Sequence, residues 1–116
     1  MKKVIGNRFR AEVIENEKPV LVEFFTEWSG SAFIIAELLY ELEKQYAAFV
    51  QFVLVNVDES EEIREEYGIK KIPSILFFKK GEVINQLEGT PSRVKIKGVL
   101  DEIIEQIQKE NRENKK

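Results

Sequence analysis

The stretch VEFFTEWSGSAFIIAELL, residues 22–39, decides the fold of this chain. It opens inside the run VLVEFF (20–25), whose nearly continuous β-forming residues are typical of a central strand buried on both faces. From Ser31 to about Ala48 the apolar residues recur every three or four positions, which predicts a helix. A strand therefore feeds a helix through the loop WSGSA (28–32), a kind of connection that often carries function.

Length and composition set the class of protein. The 116 residues fit one compact domain, and a hydrophobic content of 43% is enough for a core. The net charge of −3 gives no reason to expect a nucleic-acid or membrane partner. No apolar run approaches the roughly 20 residues of a membrane span, and the start MKKVIGNRF has no apolar signal region. We expect a cytoplasmic protein, although a secreted chain without its signal would look the same.

Two residue types are missing. Without cysteine, the chain has no thiol nucleophile, disulfide or thiolate metal ligand. Without histidine, it has no Ser-His triad and no imidazole metal site. We therefore expect no metal and no cofactor, and only carboxylate, lysine or hydroxyl chemistry remains.

The rest of the chain alternates between strand and helix patterns. KKVI (2–5) predicts a short strand, and NRFRAEVIEN (7–16) predicts a short helix with Phe9, Val13 and Ile14 on one face. QFVLVNV (51–57) predicts a second central strand. SILFFKKGEVINQLEG (74–89) predicts two strands joined by a Lys80-Gly81 turn.

Capping residues mark two more helices. In DESEEIREEYG (58–68), Asp58 or Ser60 can cap the start and Gly68 fits the left-handed end. In TPSRVKIKGVLDEIIEQI (90–107), we expect Thr90 as the cap and Pro91 at the first helical position. Its predicted inner face comprises Val94, Ile96 or Val99, Leu100, Ile103, Ile104 and Ile107.

The predicted order is β-α-β-α-β-α-β-β-α. Alternating strands and helices favour an α/β fold whose parallel sheet is covered by helices on both faces, with antiparallel strands added by the closing hairpin. We expect a single domain over residues 1–108. The charged segment KENRENKK (109–116) has nothing to bury and is predicted to be a disordered or fraying tail.

This order, with its residues, resembles the thioredoxin family over about residues 4–107. The segments that carry the resemblance are PVLVEFFTEWSG (19–30), VNVDE (55–59), YGIKKIPSILFFKKGEV (67–83) and Gly89 before the last helix. The resemblance implies the thioredoxin fold, a central mixed sheet flanked by helices.

The loop departs from the family's W-C-G-P-C motif. Trp28 and Gly30 are kept, whereas Ser29, Ser31 and Ala32 replace the first cysteine, the proline and the second cysteine. Thiol–disulfide exchange needs a thiolate and a sulfur leaving group, and a serine hydroxyl is a poor nucleophile without an adjacent base. The redox activity that the resemblance implies therefore has no residues to carry it, and we assign no catalytic residue.

Two further positions depart from the family. Glu23 matches its buried acid, but Leu54 stands where the resemblance implies a partner lysine, so burial should raise the pKa of Glu23. A lone carboxyl is more simply a relic than an acid–base catalyst. Glu37 replaces a helix proline, so we expect that helix to run straighter.

The resemblance also implies a surface that faces partners. Pro73 matches the family's cis-proline, and Ile72 before it would pair backbone-to-backbone with an extended segment, beside Trp28, Gly89 and Thr90. Structural roles are the alternative. Trp28 could pack the loop against the domain, Pro73 could only shape its turn, and Ser29 and Ser31 could cap the helix rather than bind an anion.

Three hypotheses follow. The first is a redox-inactive domain, monomeric, that binds an extended segment of a partner protein or acts as an accessory module. The second is a thioredoxin or protein-disulfide oxidoreductase by descent whose cysteines were lost or engineered away. The third is a structural role inside an assembly.

Overall fold

A computed structural model describes residues 1–114 and contains one five-stranded sheet. The strands are β1 (Lys2–Lys3), β2 (Val20–Phe25), β3 (Gln51–Asn56), β4 (Ser74–Lys79) and β5 (Glu82–Glu88). The helices are α1 (Gly30–Tyr46), α2 (Glu61–Glu66) and α3 (Arg93–Glu113). Among the described residues, no helix combines the length and apolar character needed to cross a bilayer.

The sheet is mixed, with spatial order β1-β3-β2-β4-β5. β3 pairs in parallel with β1 and β2, whereas β4 pairs antiparallel with β2 and β5. Lys80 and Gly81, both with positive φ, form the tight turn between β4 and β5. The predicted α/β architecture with a closing hairpin is confirmed.

Alternate residues of the central strands feed two cores, one on each face of the sheet. Leu21 joins the core beneath α1 and α3, whereas its neighbour Val22 joins the core beneath the N-terminal turns and α2. This division explains why the run 20–25 has no polar face. β2 is therefore covered on both faces, and it positions the loop that follows it.

The N-terminal segment is wound differently from the prediction. A 3₁₀ turn (Gly6–Arg8) leads into one stretch of π-helix (Arg10–Ile14), in which Glu15 N donates to Arg10 O at 2.8 Å. Phe9 and Val13 are buried, as their spacing predicted. The segment nevertheless delivers the apolar side chains of Phe9 and Val13 to the core on this face of the sheet.

The start of α3 corrects the predicted cap. Ser92, not Thr90, is the cap, because its Oγ accepts a hydrogen bond from Lys95 N at 3.1 Å. The helix begins at Arg93, so Pro91 lies outside it. Val94 was expected on the inner face but is 80% exposed, whereas Ile96 is fully buried.

The helix α3 extends into the segment predicted as a disordered or fraying tail. Residues 109–113 continue the helix to Glu113. Lys79 Nζ on β4 pairs with Glu110 Oε1 at 2.8 Å and ties this last part of the helix to the sheet. Lys115 and Lys116 of the predicted tail lie outside the described residues.

Candidate functional site

The loop after β2 is organised by Ser29. This residue has an extended backbone, and its Oγ accepts a hydrogen bond from Ala32 N at 3.1 Å, which caps α1. Ser29 N also donates to Thr26 O at 3.4 Å and closes the turn. The capping interpretation thus accounts for Ser29, whereas no hydrogen bond within the described chain engages the exposed Ser31 side chain.

Trp28 projects from this loop into solvent. This side chain belongs to the only tryptophan in the sequence, and it is 89% exposed. An indole in this position does not pack the loop against the domain, so the structural alternative for Trp28 is wrong. Apolar aromatic surface of this size is typical of contacts between proteins.

The Ile72-Pro73 turn lies beside the loop at one end of the sheet. The antiparallel register pairs Phe24 with Ser74, so the residues before Ser74 run next to the residues after Phe24. The Ile72-Pro73 peptide bond is cis, Pro73 is buried, and Ile72 is half-buried. Neither backbone group of Ile72 has a hydrogen-bond partner among the described residues.

Gly89 and Thr90 complete the same end. Gly89 N donates to Pro73 O at 2.9 Å, which fastens the end of β5 to the proline turn. Gly89 has φ +76°, a conformation that other residues adopt only with strain. The exposed Thr90 follows it. Trp28, Ile72, Pro73, Gly89 and Thr90 therefore lie at the same end of the sheet, and we call this set the loop-end surface.

Glu23 lies within the sheet, below this surface. The residue is fully buried, and neither of its carboxyl oxygens has a hydrogen-bond partner within residues 1–114. Its neighbours across the strands are Leu54 on β3 and Ile75 on β4. Burial raises the pKa of Glu23 to about 8, the direction that the sequence predicted.

Cavities near the loop are small. An apolar hollow of about 60 Å³ lies beside Thr26 and Ala32, whereas the larger groove, about 510 Å³, lies between β5 and α3. Binding sites for drug-sized ligands are typically about 300–1,000 Å³. Within residues 1–114, no three acidic side chains are grouped as metal ligands.

Sequence reasoning missed the apolar surface of the first turn of α1. Phe33 and Ile34 follow the loop directly and are 58% and 68% exposed. The helical period of the sequence contained this information. Ile35 and Leu39 are buried on the side of α1 that faces the core, and Phe33 lies on a different side of the helix.

Comparison with known proteins identifies the family. The family model described as thioredoxin matches residues 1–102. Thioredoxin C-2 of Corynebacterium nephridii is 40% identical over 96 residues, which cover 83% of this chain and 89% of that protein. Thioredoxin 1 of a Nostoc species is 31% identical over 98 residues, which cover 84% of this chain and 92% of that protein. The fold, the position of the loop and these similarities agree, and the chain belongs to the thioredoxin family.

Proposed function

We propose that this chain is a redox-inactive thioredoxin-family domain that binds an extended segment of a partner protein at the loop-end surface. One observation carries the proposal. The backbone N–H and C=O of Ile72 have no partner within the described chain, and the same surface presents a Trp28 side chain that is 89% exposed.

The composition of the loop supports the lack of redox activity. The full sequence contains no cysteine, so no sulfur can attack or leave in a thiol–disulfide exchange. Ser29 Oγ is engaged in capping α1, and the chain has no histidine that could act as its base. Among the described residues Glu23 is the only buried acid, and its carboxyl oxygens have no hydrogen-bond partner there.

The geometry supports strand-like recognition. A partner segment in extended conformation can exchange main-chain hydrogen bonds with Ile72, since neither backbone group of that residue has a partner in the part of the chain that the structure describes. Its apolar side chains would then contact the Trp28 indole. Main-chain pairing gives affinity with little sequence preference, so Trp28 would supply most of the selectivity.

Capture of partners from the cells that produce this protein tests the proposal. The Trp28→Ala and Trp28→Ala/Pro73→Ala variants should lose partners that the wild type retains. Ile84→Ala, which shortens an exposed side chain on β5 away from the loop, is the matched control and should retain them.

The tryptophan itself provides the second readout. Trp28 is the only tryptophan, so its emission should shift to the blue when a recovered partner covers it. An unchanged partner list for the Trp28 variants, or unchanged emission on binding, would contradict the proposal. We also propose a monomer in the cytoplasm, and light scattering on the purified chain tests the monomer.

Oxidoreductase activity by descent is the second candidate, and the 40% identity to a thioredoxin favours it. In that case the natural gene would encode cysteine at positions 29 and 32. Sequencing those two codons in the source organism separates the candidates, because serine and alanine codons there would exclude engineered removal.

A further inference from the structure

An open cavity lies between the N-terminal 3₁₀ turn and the start of α2, and it shares no residue with the loop-end surface. Its volume is about 490 Å³, which lies within the range of about 300–1,000 Å³ that is typical of small-molecule sites. Four acids line this cavity together with a glycine and a serine: Asp58, Glu59, Glu61, Glu62, Gly6 and Ser60.

The four acids of the cavity have no neutralising partner in the described part of the chain. All four side chains are exposed, and none of them forms an ion pair there. The two arginines that lie nearby in the sequence bind other groups. Arg8 Nη2 pairs with Glu12 Oε1 at 3.1 Å, and Arg64 Nε donates to Ile69 O at 3.2 Å. The cavity therefore attracts cations.

A buried hydroxyl group in the cavity wall is the second observation that points to a ligand. Ser60 is 4% exposed, and its Oγ has no hydrogen-bond partner within residues 1–114. Ser60 directly precedes α2 but its side chain does not cap that helix, in contrast to Ser29 before α1. The Oγ faces the Gly6 wall of the cavity, because a Cβ added to that glycine would lie 3.7 Å from it. This oxygen can therefore accept a hydrogen bond from an N–H group that enters the cavity.

The arrangement of the acids determines the kind of cation that fits. Within residues 1–114 no three acidic side chains are grouped as metal ligands, whereas Ca²⁺ needs its oxygen ligands around one point. A ligand with several ammonium groups can reach the separate carboxylates one by one. The helix dipole favours Glu61 and Glu62 in the first turn of α2. It accounts neither for Asp58 and Glu59, which precede the helix, nor for the unpaired hydroxyl group.

We propose that this cavity binds a linear polyamine, an aliphatic chain that carries two or more ammonium groups. The ammonium groups pair with the carboxylates of the cavity, and one of their N–H groups donates to Ser60 Oγ. The methylene groups between them contact Ile63, a half-buried residue of the cavity wall. This site goes beyond the proposed function, because its ligand stabilises the folded chain whether or not the loop-end surface binds a partner.

Spermidine is the probe, titrated at low salt into the isotope-labelled chain and followed by NMR. Amide shifts should fall on the cavity residues around Ser60, and added salt should weaken binding. Glu59→Gln/Glu62→Gln should weaken binding by about fivefold, because it removes two of the charge pairs. Glu102→Gln/Glu105→Gln is the matched control. It removes two exposed acids of the same spacing from α3, and the affinity should stay within about twofold of the wild type.

Two smaller changes separate a contact with the ligand from a structural role. Ser60→Ala removes an unpaired buried hydroxyl group, so the free chain should be at least as stable as the wild type. The same variant should bind spermidine about threefold more weakly, because the ligand loses its acceptor. Gly6→Ala places a methyl group against the Ser60 hydroxyl without a clash and should also weaken binding.

Other ligands test the class of cation. n-Butylamine has a single ammonium group and should bind much more weakly than spermidine. Equal affinity for these two amines, wild-type affinity in Ser60→Ala, or equal losses in the two double variants would overturn the proposal. Tighter binding of Ca²⁺ than of spermidine at the same amides would also overturn it, and so would tighter binding of a trilysine peptide, which would assign the cavity to a partner protein.

Discussion

Glu23 and Leu54 lie directly opposite each other on β2 and β3, so a buried carboxyl group without a hydrogen-bond partner faces an aliphatic side chain. On its other side Glu23 faces Ile75, which is equally apolar. Nothing at these positions offsets the loss of water around an ionised carboxylate, and the pKa of Glu23 rises to about 8. The protein therefore carries a group whose ionisation opposes folding.

Glu23→Leu should stabilise the protein at neutral pH. A raised carboxyl pKa means that the folded state binds the proton more tightly, so the penalty grows as pH rises from about 4.3 towards the folded pKa. With a folded pKa of about 8, the gain should be on the order of 3 kcal/mol at pH 7. Near pH 4 the pH-dependent part of this gain should nearly vanish, because the carboxyl group is then largely protonated in both states. Urea unfolding midpoints between pH 4 and pH 9 measure it.

Two further variants sharpen this test. Glu23→Gln removes the charge but keeps a buried polar group, so its gain should be smaller than that of Glu23→Leu. Leu54→Lys supplies a cation opposite Glu23 and should flatten the pH dependence of stability by lowering the pKa of Glu23. Loss of stability in Glu23→Leu at pH 7 would show that the carboxylate is satisfied and would return Glu23 to the candidate functional residues.

The central elements could be predicted because their signals are strong and redundant. The run 20–25 is a strand with those bounds, and the periodic segment after the loop is the continuous helix α1. The ends of α3 could not be predicted as well. Thr90 and Ser92 are both good caps, and only the path of the chain after Gly89 selects Ser92. The extension to Glu113 depends on a contact between Lys79 and Glu110, which are far apart in sequence.

The candidate site also has features that could be predicted from the sequence and features that could not. The residue types alone were enough to exclude thiol chemistry and to predict that Glu23 lies in an apolar strand. The exposure of Trp28 could not be predicted, because this residue lies in a loop and its burial depends on whether another part of the chain covers it. The ion pair between Lys2 and Glu12 was also hidden, because the turns of the N-terminal segment bring these two residues together.

Ser29→Ala should destabilise the protein by about 1 kcal/mol, because it removes the acceptor for Ala32 N at the start of α1. Ser31→Ala is the matched control. Its side chain is exposed and has no hydrogen bond in the described chain, so its effect should be within about 0.5 kcal/mol of zero. Urea unfolding of both variants measures the difference. Equal effects would contradict the capping role of Ser29.

Gly89→Ala and Gly98→Ala should have opposite effects on stability. Gly89 has φ +76°, so a side chain there should cost about 1–3 kcal/mol. Gly98 lies inside α3 with no atom close enough to clash with an added Cβ, and alanine there should stabilise by about 0.5–1 kcal/mol. Thermal unfolding of the two variants checks both signs. Unchanged stability in Gly89→Ala would mean that the end of β5 accommodates the side chain without backbone strain.

The wild-type chain should not accelerate insulin reduction by dithiothreitol above the background rate, because it contains no cysteine. The Ser29→Cys/Ala32→Cys variant should recover weak activity. Ala32 is almost completely buried, Leu54 offers no cation to Glu23, and Ser31 leaves the loop without its family proline. Adding Leu54→Lys to this variant should raise the rate, since the lysine restores the charge partner of the buried acid.

The single variant Ser29→Cys is the control for that experiment. It has one thiol and cannot form an intramolecular disulfide, so it should remain near background while accumulating mixed disulfides. Acceleration by the wild type would refute the redox-inactive part of the proposed function. A doubly substituted chain as active as an ordinary thioredoxin would show that Leu54 and Ser31 do not limit the chemistry, and that loss of the two thiols alone separates this protein from its active relatives.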